Sequence, residues 1–293
     1  MREIRGVITA MATPFAEDGS LDLDAARHLA SHLISNGSHG LVVAGTTGES
    51  PTLSDAEKLR LLEAVLEAVG EEAVVICGTG SNDTRHSCEL TEAACAGGAH
   101  GVLVVTPYYN KPNPTGLRAH FAAVASAAGK TPVVLYNIPS RCVINLAPRL
   151  MREIAAASPN VVAVKQANSD ELAEVEGLEL LAGNDEVFLR ALELGGAGGI
   201  LVASNVAGNE MRAVWDAAQA GEIDRARELD ARLRPVYEAM AVTSNPTPVK
   251  TALELTGVCD AYFRLPMVPA SEAERETVRS ALDRAGMPAA SRG

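Results

Sequence analysis

Two hydrophobic periods alternate along the chain. Short runs of apolar, largely β-branched residues recur at 6–14, 40–48, 73–80, 101–109, 132–139, 161–166, 178–183 and 199–206. Most are apolar at consecutive positions rather than at every second one, the pattern of strands covered on both faces in a parallel sheet. Between them lie segments with helical spacing. The clearest is 55–69, with Leu59, Leu62, Leu66 and Val69 on one face. Ser54 and Glu57 supply a capping box at its start and Gly70 a stop at its end. Segments 114–128 and 209–220 follow the same spacing, and Gly37 and Gly221 close other helices. Eight strand–helix units predict an α/β fold, a closed (β/α)8 TIM barrel, with an open doubly wound sheet as the second solution. Beyond about residue 208 only helical patterns remain, at 224–241 and 271–285. The expected organisation is therefore a barrel over 1–208. Residues 209–293 would then form the last barrel helix and a C-terminal helical extension packed on the barrel, ending in a mobile tail at 288–293.

Composition narrows the functional classes. Of 293 residues, 47% are hydrophobic and 21% charged, enough to build a sizeable core. Asp and Glu number 37 against 25 Lys and Arg, a formal charge of −12. That balance argues against a nucleic-acid partner, which needs a basic face, but not against a small anion held at one local positive site. Glu3 and Arg5 interrupt the N-terminal apolar run, so no secretory leader is expected. No run approaches the roughly 20 apolar residues of a membrane span. The five cysteines, at 77, 88, 95, 142 and 259, include no CxxC pair. They read as free thiols in a reducing compartment, so a cytoplasmic location and no structural zinc are expected.

In a barrel of this kind chemistry sits at the C-terminal ends of the strands. Lysine occurs at 58, 111, 130, 165 and 250, and only Lys165 ends an apolar strand, 161–165. Strand alternation puts it on the face of Val161 and Ala163. If that face points inward, desolvation disfavours the ammonium, and a neutral amine can attack a ketone to form a Schiff base. Position alone leaves open a lysine that snorkels to solvent. The other strand ends add weight. The second ends in Gly45-Thr46-Thr47-Gly48-Glu49, where close backbone approach and successive N–H groups suit a carboxylate. Three of the five tyrosines, 108, 109 and 136, lie at the ends of the fourth and fifth strands. A phenol there can relay a proton, and Arg141 offers a fork for a carboxylate. Each feature alone also fits an ordinary loop, packed ring or surface ion pair. Together they suit a 2-oxo acid held by its carboxylate while Lys165 attacks its carbonyl.

The motifs GTTGES (45–50), TPYYNKP (106–112), LYNIPSR (135–141), VAVKQA (162–167) and NPTPVK (245–250) resemble, in order and spacing, those of the dihydrodipicolinate synthase family. This family belongs to the class I, pyruvate-dependent aldolases that include N-acetylneuraminate lyase. The resemblance implies a TIM barrel and condensation of pyruvate with L-aspartate 4-semialdehyde, an early step toward diaminopimelate and lysine. It implies that Lys165 forms the Schiff base, that Tyr136 donates and accepts protons, and that Thr46 links Tyr136 to a relay. Tyr109 would complete that relay in a neighbouring subunit. Thr47 would bind the pyruvate carboxylate and Arg141 the carboxylate of the second substrate, with Ile200 and Gly183 lining the pyruvate pocket. It further implies a homotetramer built as a dimer of dimers, and no cofactor, because the iminium is its own electron sink.

Three departures bear on the outcome. The family commonly has Thr-Gly after its arginine, whereas this chain has Cys142-Val143, and Asn184 stands where an acidic residue is frequent. Both bear on the acceptor, leaving an aldolase or dehydratase for a 2-oxo sugar acid, or a non-catalytic keto-acid-binding paralogue, as alternatives. Around the family's lysine effector site Ser50, Asn82 and Tyr108 are kept, but Lys58 and His86 replace the usual His and Glu. Added positive charge should repel a lysine effector, so weak feedback is expected. The histidines at 28, 32, 39, 86, 100 and 120 fall mostly in helices or at strand starts, which gives a metal-dependent barrel isomerase no support.

Overall fold

Strands that are apolar on both faces can be satisfied only when helices cover one face and other strands' side chains the other. The computed structural model, which describes residues 3–287, meets that demand by closure. Strands β1 (Gly6–Ala10), β2 (Gly40–Val43), β3 (Val74–Gly78), β4 (Gly101–Val105), β5 (Val133–Asn137), β6 (Val161–Gln166), β7 (Glu179–Ala182) and β8 (Gly198–Leu201) pair in parallel and in sequence order, and β8 returns to β1. The expected TIM barrel is thus what the chain forms.

Alternate residues sort into separate clusters. Ile8, Ala10, Val42, Ile76, Leu103, Val134, Tyr136, Ala163, Leu181 and Ile200 fill the interior. Their strand neighbours face the surrounding helices. One expectation needs correction. Val161 belongs to the outer cluster, while Ala163 is inside. The register explains it: Val133 pairs with Val161 but Val134 with Ala163, so a bulge on β6 absorbs one residue. The bulge reverses parity below Ala163 and leaves Lys165 facing inward.

The outer layer comprises α1 (Leu23–Ser35), α2 (Asp55–Val69), α3 (Thr84–Ala96), α4 (Pro114–Ala128), the short α5 (Pro139–Cys142), α6 (Pro148–Ala157), α7 (Phe188–Glu193) and α8 (Gly208–Gln219). The Ser54–Glu57 capping box of α2 forms in both directions. Its buried face is centred on Leu61, Leu62, Val65 and Val69, rotated slightly from the stripe expected. After the barrel come α9 (Ile223–Ala239), α10 (Thr247–Leu255) and α11 (Glu272–Arg284), with α9 on α8 and α11 on both α9 and α10. Helix α10 begins at the Asn-Pro-Thr-Pro segment that its prolines mark as a turn. Proline suits a first helical turn, where its missing N–H costs nothing. The tail expected at 288–293 lies outside the described residues. Among the described residues no helix is long and apolar enough to cross a membrane.

The segment after α10 is clamped onto the rim by Arg264. Its guanidinium donates to the carbonyls of Gly19 and Thr52, each at 2.8 Å, and to both Glu57 oxygens at 2.6 and 3.0 Å. That bidentate pair holds the Glu57 carboxyl down at about 2. A carboxyl depressed on folding adds stability above its unfolded value of 4.5 and loses it as pH falls toward about 2. Glu57→Gln keeps the capping-box geometry but removes the charge. Its melting temperature should fall below wild type near neutral pH, and the gap should narrow steadily as the medium is acidified past 4.5. A gap independent of pH in thermal unfolding scans would show that the ion pair is not the clamp.

Candidate active site

The bulge in β6 brings Lys165 opposite Tyr136 on β5. Each residue is only 4% exposed, and the Lys165 amine lies 4.3 Å from the centroid of the Tyr136 ring. The geometry is a cation–π contact whenever the amine carries its proton. Above them opens a cleft of about 450 Å³ lined by Thr46, Tyr136 and Arg141 among others. Tyr136 lines this cleft and Lys165 does not.

Thr46 and Thr47 sit on a tight turn after β2. Ala44 and Glu49 both adopt left-handed backbone, with φ of 51° and 52°. The turn leans so closely on β3 that a Cβ at Gly78 would lie 2.3 Å from the Ala44 carbonyl oxygen. The Thr13 hydroxyl donates to the Gly48 carbonyl at 2.7 Å. Thr46 is half-buried and faces the cleft, while Thr47 is buried and accepts from the Asn245 amide at 3.0 Å.

At the end of β5 a buried amide network sets the path toward Arg141. Asn137 is fully buried; its amide donates to Asn145 at 2.8 Å and Gln166 at 2.9 Å, and its oxygen accepts from the Leu146 N–H. The segment between them carries α5, whose Arg141 is exposed at the cleft. Ile200 is fully buried in the barrel interior. Gly183 follows β7 and donates to the Gln166 carbonyl at 2.8 Å, and a Cβ there would meet Ala167 at 2.7 Å.

Tyr109 is not among the residues that line the cleft. It is 87% exposed, in left-handed backbone, away from the cleft lining. Among the described residues no hydrogen bond joins the hydroxyls of Tyr136, Thr46 and Tyr109 within the chain.

A model of the dihydrodipicolinate synthetase family matches residues 3–285. The chain belongs to this family. It is 46% identical over 287 residues to the 4-hydroxy-tetrahydrodipicolinate synthase of Symbiobacterium thermophilum, covering 96% of this chain and 98% of that one. The dihydrodipicolinate synthase of Cyanidioschyzon merolae with lysine bound superposes with a TM-score of 0.93 at 38% identity, over 97% of this chain and 98% of its own. The chloride-inhibited enzyme of Acinetobacter baumannii complexed with pyruvate gives 0.93 at 35% identity, over 97% of this chain and 100% of its own.

Several residues of this family member's site escape a reading of sequence alone. Asp185, in the loop after β7, accepts from the N–H groups of Val202 at 2.9 Å and Ala203 at 3.1 Å, tying the β7 and β8 ends together. Burial pushes its carboxyl up to about 6 against those hydrogen bonds, and Lys165 pulls weakly the other way. Asp55 joins the two basic residues of the outer cleft, lying 3.3 Å from the Lys58 amine and 2.7 Å from His86 Nε2. His86 thus lines the cleft from the first turn of α3. Glu49 and Lys250 form a buried ion pair behind the threonine turn. The partners are far apart in sequence, so no local spacing signals them.

The departure at Cys142-Val143 leaves α5 formed and Arg141 at the cleft. The backbone does so by placing Val143, a β-branched residue, at φ 67° and ψ −25° as the cap of α5. Such a conformation costs on the order of 1–3 kcal/mol, and a glycine there gives back about 1 kcal/mol through the flexibility of the unfolded chain. Val143→Gly should raise stability by about 1 kcal/mol, or a few degrees in melting temperature for a domain of this size. A lower melting temperature by calorimetry would refute the strain.

Proposed function

We propose that this chain is a 4-hydroxy-tetrahydrodipicolinate synthase, condensing pyruvate with L-aspartate 4-semialdehyde through a Schiff base on Lys165. The observation that carries the reading is the buried amine packed against the ring of Tyr136, a phenol that lines a cleft also holding a threonine hydroxyl and a guanidinium. Full-length similarity to enzymes of that name supports the same reaction.

The chemistry follows from those groups. The neutral amine attacks the pyruvate carbonyl carbon, water leaves, and an iminium forms. Its positive nitrogen acidifies the methyl group, and loss of a proton gives an enamine. The enamine carbon bonds to the aldehyde carbon, whose oxygen takes a proton. The amine of the second substrate then attacks the iminium carbon, closes the ring and releases Lys165. In this reading Tyr136 donates and accepts protons as the imine forms and the ring closes, Thr46 orients that phenol, and Thr47 with the turn's N–H groups holds the pyruvate carboxylate. Arg141 receives the carboxylate of the semialdehyde at the cleft mouth. Ile200 and Gly183 line the pyruvate end of the pocket in this reading.

Tyr109 gains a role once a second subunit is present. Its exposure and its strained backbone suit a ring presented to a neighbour, as the last member of a proton path, and we propose a homotetramer on that ground. The cytoplasm is the proposed location.

Borohydride added with pyruvate should trap a reduced adduct on Lys165, located by peptide mass, and Lys165→Ala should abolish both the adduct and turnover. With aspartate semialdehyde the product should feed the next reductase in a coupled assay. A trapped adduct with activity only on sugar aldehydes would replace the acceptor by a 2-oxo sugar acid's aldehyde, a choice the Cys142-Val143 departure bears on. Absence of an adduct would favour a non-catalytic keto-acid-binding protein.

The charges of the outer cleft bear on regulation. Lys58 is buried and both it and His86 are engaged with a single carboxylate, Asp55. An incoming lysine ammonium would meet two bases sharing one acid. Inhibition by lysine should be weak or absent in initial-rate assays, and strong inhibition at low lysine would refute this.

A further inference from the structure

Lys250 and Glu49 pair at 2.7 Å, and each side chain is 1% exposed. The ammonium also donates to the Tyr262 carbonyl and lies 4.5 and 4.8 Å from the ring centroids of Phe15 and Phe263. The second Glu49 oxygen accepts from the Arg264 N–H at 3.3 Å. A fully buried ion pair of this kind seldom adds stability over apolar residues of the same volume, because desolvation offsets the attraction. Its presence calls for a reason in what it holds.

What it holds is the threonine turn. Glu49 occupies left-handed backbone, and its N–H closes the turn on the Thr46 carbonyl at 3.1 Å. Five residues before Lys250, Asn245 donates its amide to the Thr47 hydroxyl oxygen at 3.0 Å. A hydroxyl that accepts from Asn245 has its own hydrogen free to donate elsewhere. The Asn245 side-chain oxygen is itself buried with no partner. On the other side, Thr13 fixes the Gly48 carbonyl. Two of the turn's three anchors thus come from chain beyond the barrel.

We propose that segment 245–250 positions the Thr46–Thr47 turn for catalysis, through Lys250 on Glu49 and Asn245 on Thr47, so that the helical extension is part of the pyruvate site. This rests on the reading of Thr47 and the turn as the pyruvate carboxylate site. Glu49, Lys250 and Asn245 are positioning residues that act through the threonines.

The test uses the full-length enzyme and the variants Glu49→Gln, Lys250→Met, their double variant, and Asn245→Asp. Either single change at the pair leaves a buried charge unmatched and should lower the melting temperature. The double variant should recover most of that loss, because no unpaired charge remains. Its KM for pyruvate should nevertheless stay about ten-fold above wild type, the effect of about one lost hydrogen bond to a charged ligand. Saturating pyruvate should still give the borohydride adduct on Lys165. A double variant with wild-type KM and kcat would make the pair purely structural and overturn the proposal. Should the double variant not fold, Asn245→Asp decides. An acceptor-only side chain there would capture the Thr47 hydrogen and place a negative charge beside the bound carboxylate. Pyruvate KM should then rise about ten-fold or more, for the same reason, with some loss of melting temperature because one carboxylate oxygen is buried without a partner, and an unchanged KM in the folded variant would overturn the proposal. A wild-type enzyme that forms no adduct would sink the Schiff-base reading itself, an outcome distinct from either.

Discussion

Closure of the sheet is the constraint on which the rest depends. Once β8 pairs with β1, every second strand residue must point into a space with no other exit than the two ends of the barrel. Most of that space is filled by Ile, Val, Leu and Ala. A polar end placed among them costs free energy unless it finds partners. Lys165 and Tyr136 satisfy the constraint at the C-terminal rim, where each covers the other and the cleft opens above. The same closure sets the direction of the site, since parallel strands carry all their C-terminal ends to one face.

What sequence makes legible are features whose cause is local. Consecutive apolar residues with helical segments between them specify eight βα units, and the capping box at Ser54 and Glu57 fixes the start of α2. Lys165 is legible for a similar reason: it is the lysine that ends an apolar strand. The bulge in β6 is not legible, because it arises from pairing with β5 and leaves no mark in Val161–Ala163. It changes which residues Lys165 shares a face with, and the inward direction survives only because the bulge lies below Ala163. Helix α10 was obscured by chemistry with two meanings, since prolines open helices as readily as they make turns.

At the site, the residues legible in advance are those with distinctive reactivity: an amine, phenols, hydroxyls and a guanidinium. Those that hold them are not. Asn137 on Asn145 and Gln166, Asp185 on the β8 loop, and Glu49 on Lys250 all pair across the barrel top, and nothing in local spacing announces them. Tyr109 marks another limit. It is 87% exposed, and its distance from the cleft has no signal in the TPYYNKP segment itself.

The departures from the family pattern sort by depth. Val143 and the Asp55–Lys58–His86 cluster lie at the outer cleft or the surface, where backbone and charge can shift with little effect on the barrel. Val143 takes up left-handed backbone so that α5 stays in place, and the cost is local strain rather than a displaced arginine. The interior allows no such accommodation. A Cβ at Gly78 would strike the Ala44 carbonyl, and the turn behind it is fixed by Thr13 on one side and by Asn245 and Lys250 on the other. Chemistry that must meet a keto acid at one geometry is therefore built where packing leaves no slack. The rim differs: there Val143 and the Asp55–Lys58–His86 cluster depart from the family pattern while the barrel interior keeps its packing.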